Sequence, residues 1–200
     1  MENEAPTKAT GILASLYDAV ELFVIAICIV ILFFSFGARL CRVDGDSMLR
    51  TLHDGEMLVV SDIAYTPKQG DIVVFHQTHA TNSRLNEAIV KRVIATEGQY
   101  VYVDYDTAEV YVSDDKYFDE SDIITEDYDY IDNSQGVITD PYYSRNKTYF
   151  VPEGCVFVLG DNRNNSLDSR SGEIGTVDVR RILGRVIFKL PSQFKSPFQK

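Results

Sequence analysis

Hydrophobic residues form one uninterrupted block near the N-terminus and then alternate with polar ones along most of the chain. The block, Leu22 to Ala38, reads LFVIAICIVILFFSFGA, 17 residues without a charge, which is the short end of what crosses a hydrocarbon core as a helix. The residues before it are acidic (Glu2, Glu4, Asp18, Glu21), whereas a cleavable signal peptide opens with basic ones. The expectation is therefore a short N-terminal segment over 1–19 and a retained transmembrane anchor over 20–40. From Glu56 onward, apolar stretches bounded by turn residues predict strands: EMLVVS after Asp54-Gly55, DIVVFH after Gly70, then EAIVKRVIA, YVYVD, EVYV, CVFVLG and ILGRVIFKL. No helical period follows residue 40, so the pattern predicts a mostly β protein built of antiparallel sheets, closed on themselves or packed together.

Composition changes this picture in one region. Of the 30 acidic residues, 13 lie between 104 and 140 against the single Lys116, so the net charge of -11 is local rather than spread over the molecule. That stretch, with its Asp, Tyr and Ser, predicts an acidic inserted subdomain over 99–149, emerging from a core made of 41–98 and 150–192, with a tail at 193–200. A solvated acidic face is the expected role for the insert, because the ordered spacing of a calcium loop is missing. No basic patch suits phosphates, which argues against nucleic acid as a partner. The three cysteines, Cys28, Cys41 and Cys155, fit no zinc spacing. Free thiols are expected in preference to a Cys41–Cys155 disulfide.

Candidate chemistry narrows quickly. His76 and His79 lack further ligands for a metal, and His53, six residues past a serine, is a weak basis for a Ser-His-Asp triad. What remains is Ser47 in the glycine-containing turn VDGDSMLRTLHDG and Lys91 inside the apolar strand AIVKRVIA. A serine hydroxyl needs a base to become a nucleophile, and a lysine is that base only when neutral, which burial among apolar groups favours. Strand periodicity places Lys91 on one face with Ile89 and Val93, and Arg92 on the other with Val90 and Ile94. A lysine that reaches past these neighbours to water fits the same pattern. In the turn, the Ser47 N–H is the natural donor to a developing oxyanion, with Gly45 acting through its backbone or the room it leaves.

Together, GDSMLRTLHDGE (45–56), KRVIATEG (91–98) and GDNRNNSLDSR (160–170) resemble the three motifs of type I signal peptidases, in the family's order. The ILGRVIFKL strand, the single anchor and the acidic insert also look like the family plan. The resemblance implies a mostly β catalytic core of signal-peptidase type with a small inserted subdomain and one N-terminal transmembrane helix. It implies a membrane-anchored serine endopeptidase that removes signal peptides from exported preproteins. Its partners would be those signal peptides and the lipid bilayer, and it would need no metal or organic cofactor. Position by position, Ser47 matches the nucleophile, Lys91 the general base, Met48 the methionine after the serine, and Ser166 the hydroxyl that orients the lysine. Asp161, Arg163, Asp168 and Arg170 match residues that support the site through charge-assisted hydrogen bonds. Arg50 stands where many members have proline, Asp46 where a small residue is usual, and Glu97 and Gln99 depart from the lysine segment, which bears on substrate preference.

The family's topology puts the N-terminus in the bacterial cytoplasm and the catalytic domain outside the cell membrane. The flanking charges, Lys8 before the helix against Arg39 and Arg42 after it, point the other way. A specialised or noncatalytic relative that serves surface pilin processing or assembly is the alternative, although a noncatalytic one would have no reason to keep both Ser47 and Lys91.

Overall fold

A computed structural model of the chain describes residues 8–32, 37–77, 88–129, 138 and 147–190. Helix α1, Lys8–Leu32, forms one unit with the chain up to Arg39. Within it Ser15–Leu32 has a mean hydropathy of 2.3, long and apolar enough to cross a membrane.

In the second unit, from Leu40 onward, the described regular structure is mostly strand: β1 Arg39–Arg42, β2 Met57–Ser61, β3 Ile72–His76, β4 Ala88–Ala95, β5 Tyr100–Val103, β6 Val110–Ser113, β7 Thr148–Phe150, β8 Cys155–Leu159, β9 Val177–Asp178 and β10 Ile182–Lys189. Seven of them form one sheet in the order β1-β2-β10-β3-β4-β8-β9, and β6-β5-β7 form a second. The mostly β architecture read from the alternating pattern is the one observed. All seven strand-like stretches of the sequence contain a strand. Three short strands escaped that reading. β1 takes up Arg39 and Leu40, the last two residues of the expected anchor range, while β7 and β9 are three and two residues long.

The central strands depart from simple alternation. Val73–Phe75 of β3, Lys91–Ala95 of β4 and Val156–Leu159 of β8 are buried without interruption, because both faces of the sheet are covered. Val73, Phe75, Val93, Val156 and Val158 pack with Ile174 and Val177 of the loop after β8 and strand β9. Val74, Leu58 and Val60 pack with Val43, Met48 and Leu52 of the β1–β2 connection. A third cluster joins Ile94, Phe157 and Leu159 to Val101, Val103, Val110 and Val151. The small sheet thus shares a core with the ends of β4 and β8, each fully buried aliphatic side chain contributing about 1.5–3 kcal/mol.

Cys41 on β1 and Cys155 on β8 are not joined in a disulfide and lie on strands separated by β2, β10, β3 and β4. The tail at 193–200 and His79 lie outside the described residues.

Candidate active site

The serine turn is a loop closed at its base. The chain leaves β1 and returns to β2 through Val43 N–H to the Glu56 carbonyl (2.8 Å) and Gly55 N–H to the Val43 carbonyl (2.9 Å). Gly45 sits at φ +83°, a conformation glycine adopts without penalty, and its N–H donates to Asp54 Oδ1 at 3.0 Å. Beyond it, Leu52 N–H reaches the Met48 carbonyl at 2.8 Å. Met48 and Leu52 plug into the core and fix the turn from beneath. Arg50, in the place of the family's proline, has φ +71°. Proline is locked near -65° and has no access to that conformation.

Lys91 comes to this turn from the neighbouring part of the sheet. Its amine lies 2.6 Å from Ser47 Oγ and donates also to the Val90 carbonyl at 2.9 Å. The residue is only 4% exposed, so the amine does not reach water as a surface lysine would. Burial pushes its pKa down from 10.5 to about 8. The Asp168 and Asp161 carboxylates oppose that fall, and the Arg170 guanidinium adds to it. A cleft of about 110 Å³ opens beside the pair, lined by Val43, Asp44, Ser47, Met48 and residues 88–91.

The loop after β8 clamps the turn from the other side. Asn162 N–H donates to the Ser47 carbonyl at 3.0 Å and Asn162 Nδ2 to the Asp46 carbonyl at 3.1 Å. Asp161, fully buried, accepts from Arg92 Nε (2.9 Å) and Nη2 (2.7 Å) and from Thr51 Oγ1. Burial works against the Arg92 charge, yet the bonds and charge of Asp161 outweigh it and raise its pKa. Asp168 and Arg170 form a second buried pair at 2.8 and 2.9 Å. Burial raises the Asp168 pKa, but the Arg170 charge and hydrogen bonds, the Gly160 N–H and the Ser166 hydroxyl together hold it below the ordinary value. Arg163, with no exposed surface, is paired through both terminal nitrogens with Glu126 of the acidic insert.

A model of the signal peptidase family, peptidase S26, matches residues 16–190. The chain belongs to this family. It is accordingly a serine peptidase, a hydrolase. A "Probable signal peptidase I-1" of Synechocystis is 32% identical over 86% of this chain and 81% of its own length. The "Signal peptidase I" of Bacillus licheniformis is 31% identical over 88% and 89%, and the "Signal peptidase IB" of Staphylococcus aureus 36% identical over 87% and 91%. A crystal structure of a signal peptidase I from Enterococcus faecalis V583 aligns with 61% of this chain and 97% of its own at 27% identity, with a TM-score of 0.42.

In this peptidase the residues singled out from sequence lie around one turn: Ser47, Lys91, Gly45 and Met48 at the turn and cleft, Asp161, Arg163, Asp168 and Arg170 in the loop that braces it. The Ser166 hydroxyl, buried in the same loop, hydrogen-bonds to Asp168. His53 is largely exposed and pairs at 3.7 Å with Glu56. Sequence reasoning missed Arg92, Thr51 and Asn162. Arg92 directly follows Lys91, but its partner Asp161 is 69 positions away, and no local pattern announces such a pairing. Among its described residues, the acidic stretch is also less solvated than its composition suggests. Asp106, Asp114, Asp115 and Asp119 are exposed, yet the Glu126 side chain is 6% exposed and the Tyr128 ring lies 3.7 Å over the Arg92 guanidinium.

Proposed function

We propose that the chain is a membrane-anchored endopeptidase that removes N-terminal signal peptides from exported preproteins, with Ser47 as nucleophile and Lys91 as general base. The 2.6 Å approach of a buried amine to the turn hydroxyl carries this reading. An amine with a pKa of about 8 is about one-tenth neutral at pH 7, against well under one-thousandth for an ordinary lysine, and that form accepts the serine proton. Ser47 Oγ attacks the scissile carbonyl as its proton passes to Lys91 Nζ. The tetrahedral intermediate then expels the amine of the mature protein, which takes the proton from Lys91, and an acyl-enzyme remains. Water, deprotonated by Lys91, attacks the ester and releases the signal peptide and the serine hydroxyl.

The Ser47 N–H would face the oxyanion, and the absent side chain of Gly45 leaves room beside it. Asp161, Arg163, Asp168, Arg170 and Ser166 would hold this arrangement in register. The cleft walled by Val43, Met48 and Val90 is small enough to favour an alanine-sized side chain next to the scissile bond and to exclude larger ones. Such sites flank an apolar segment held in the bilayer, so an enzyme anchored through α1 meets them at high effective concentration. The topology that serves this task leaves the N-terminus in the cytoplasm and the core outside the bacterial cell membrane.

The test is to incubate the detergent-solubilised chain with a precursor bearing an Ala-x-Ala site and to locate the cut by mass spectrometry. Cleavage after the second alanine is expected, with loss of product in Ser47→Ala and Lys91→Met. Unchanged processing by either variant overturns the assignment.

A further inference from the structure

The Arg92–Asp161 pair has a third participant that belongs to neither the strand nor the loop. The Tyr128 ring covers the Arg92 guanidinium, centroid to carbon 3.7 Å. The Tyr128 hydroxyl is hydrogen-bonded to Glu126, and Glu126 grips the buried Arg163 through both carboxylate oxygens. Two residues of the acidic insert, two positions apart, therefore fasten to two arginines. One follows Lys91 directly and the other lies two residues beyond Asp161. An exposed acidic loop has no reason to bury a carboxylate and a phenol, since their desolvation is unfavourable unless the partners return it.

We propose that Glu126 and Tyr128 form a strap by which the acidic insert positions the catalytic machinery, Tyr128 sealing the Arg92–Asp161 pair from water and Glu126 anchoring the strap on Arg163. This rests on the assignment of Lys91 as the base, and both are positioning residues, since neither touches the reacting atoms. The environment of Lys91 makes the consequence directional. The groups that act on its charge are Asp168, Asp161 and Arg170. Around Arg92 stand Asp161, the Gly70 carbonyl, Thr51, Tyr128 and Glu126. Without the ring, water reaches the guanidinium and the Arg92–Asp161 bonds loosen. Asp161, whose charge favours the protonated Lys91, is then less fully compensated. That change favours the charged amine, so its pKa rises and the neutral base becomes scarcer at any given pH.

The test uses the full chain in detergent with lysines carrying a carbon-13 label at Cε, the Lys91 resonance being identified by its loss in Lys91→Met. In Tyr128→Ala the Lys91 titration is expected to move up by about half a pH unit to one unit. The acidic limb of kcat/KM should move with it, while KM stays near the wild-type value. Tyr128→Phe keeps the ring over Arg92 and should titrate like wild type. Glu126→Gln should reproduce the shift in part, with Arg163 less firmly held. An unshifted Lys91 titration in Tyr128→Ala, or an equal shift in Tyr128→Phe, overturns the proposal. The titration needs no turnover: if the wild-type chain fails to cut precursor while the shift appears, the strap stands and the peptidase mechanism falls.

Discussion

Gly160 lies so close to the serine turn that a Cβ added to it would stand 2.6 Å from the Ser47 carbonyl oxygen and would collide with the Ser166 side chain. Its lack of a side chain is what lets the loop after β8 and the serine turn share one space, with Asn162 N–H closing the contact at 3.0 Å. Gly160→Ala is therefore expected to displace the turn. Overpacking of this kind costs about 1–3 kcal/mol, and a shift of Ser47, the proposed nucleophile, by about 1 Å lowers the rate on the order of 100-fold. Urea unfolding together with a precursor-processing assay reads both effects, and a fully active alanine variant would show that the contact yields.

The pH dependence follows from Lys91. In the proposed mechanism only its neutral form takes the Ser47 proton, and burial lowers its pKa to about 8. Below that value kcat/KM should fall about tenfold per pH unit, and above it the rate should level off. Stability runs through the same group. The fall from 10.5 to about 8 means that the folded protein binds the proton less well than the unfolded chain. The penalty is fully present below pH 8, on the order of 3 kcal/mol, and fades as pH rises from 8 to 10.5. Lys91→Met should accordingly be inactive yet melt higher than wild type at pH 7, as read by thermal unfolding.

The Asp168–Arg170 pair has no exposed side-chain surface. Asp168→Asn leaves the Arg170 charge without its counterion in the interior, which typically costs about 3–5 kcal/mol. The folded pKa of Asp168 is depressed below its ordinary 3.8. Its contribution is therefore present above that value and lost as pH falls through the folded pKa. Wild type should lose stability on acidification below about pH 4, and the variant, already weakened, should lose less over the same range in urea titrations.

Arg50 offers a discriminating pair of substitutions. At φ +71°, Arg50→Gly should be tolerated and should relieve about 1 kcal/mol of backbone strain. Arg50→Pro, although it restores the residue common in the family, should destabilise the turn by about 3 kcal/mol or more. Thermal melts of the two variants test the order, and a proline variant as stable as wild type would contradict it.

Much of this protein is legible one residue after another. An uncharged apolar run is enough to specify a helix of membrane-crossing composition. Alternating apolar positions between turn residues are enough to specify seven strands and the mostly β class, since both depend on neighbours two or four positions away. The family is legible for a similar reason, because its motifs are short contiguous strings such as GDSM and GDNRNNSLDSR. Short strands such as β7 and β9 carry too few residues for a period to show, and β1 is hidden by the apolar run that precedes it.

Other features exist only where distant segments meet. Alternation placed Arg92 away from Lys91, but it could not supply Asp161 as its partner or predict that both faces of β4 would be covered. Nor could the composition of the insert separate Glu126 and Tyr128, which bury themselves against arginines, from the carboxylates that stay in water. Burial and charge pairing are properties of a place in three dimensions. A local pattern shows which side of a strand a residue takes, while only the packed chain decides what stands opposite it.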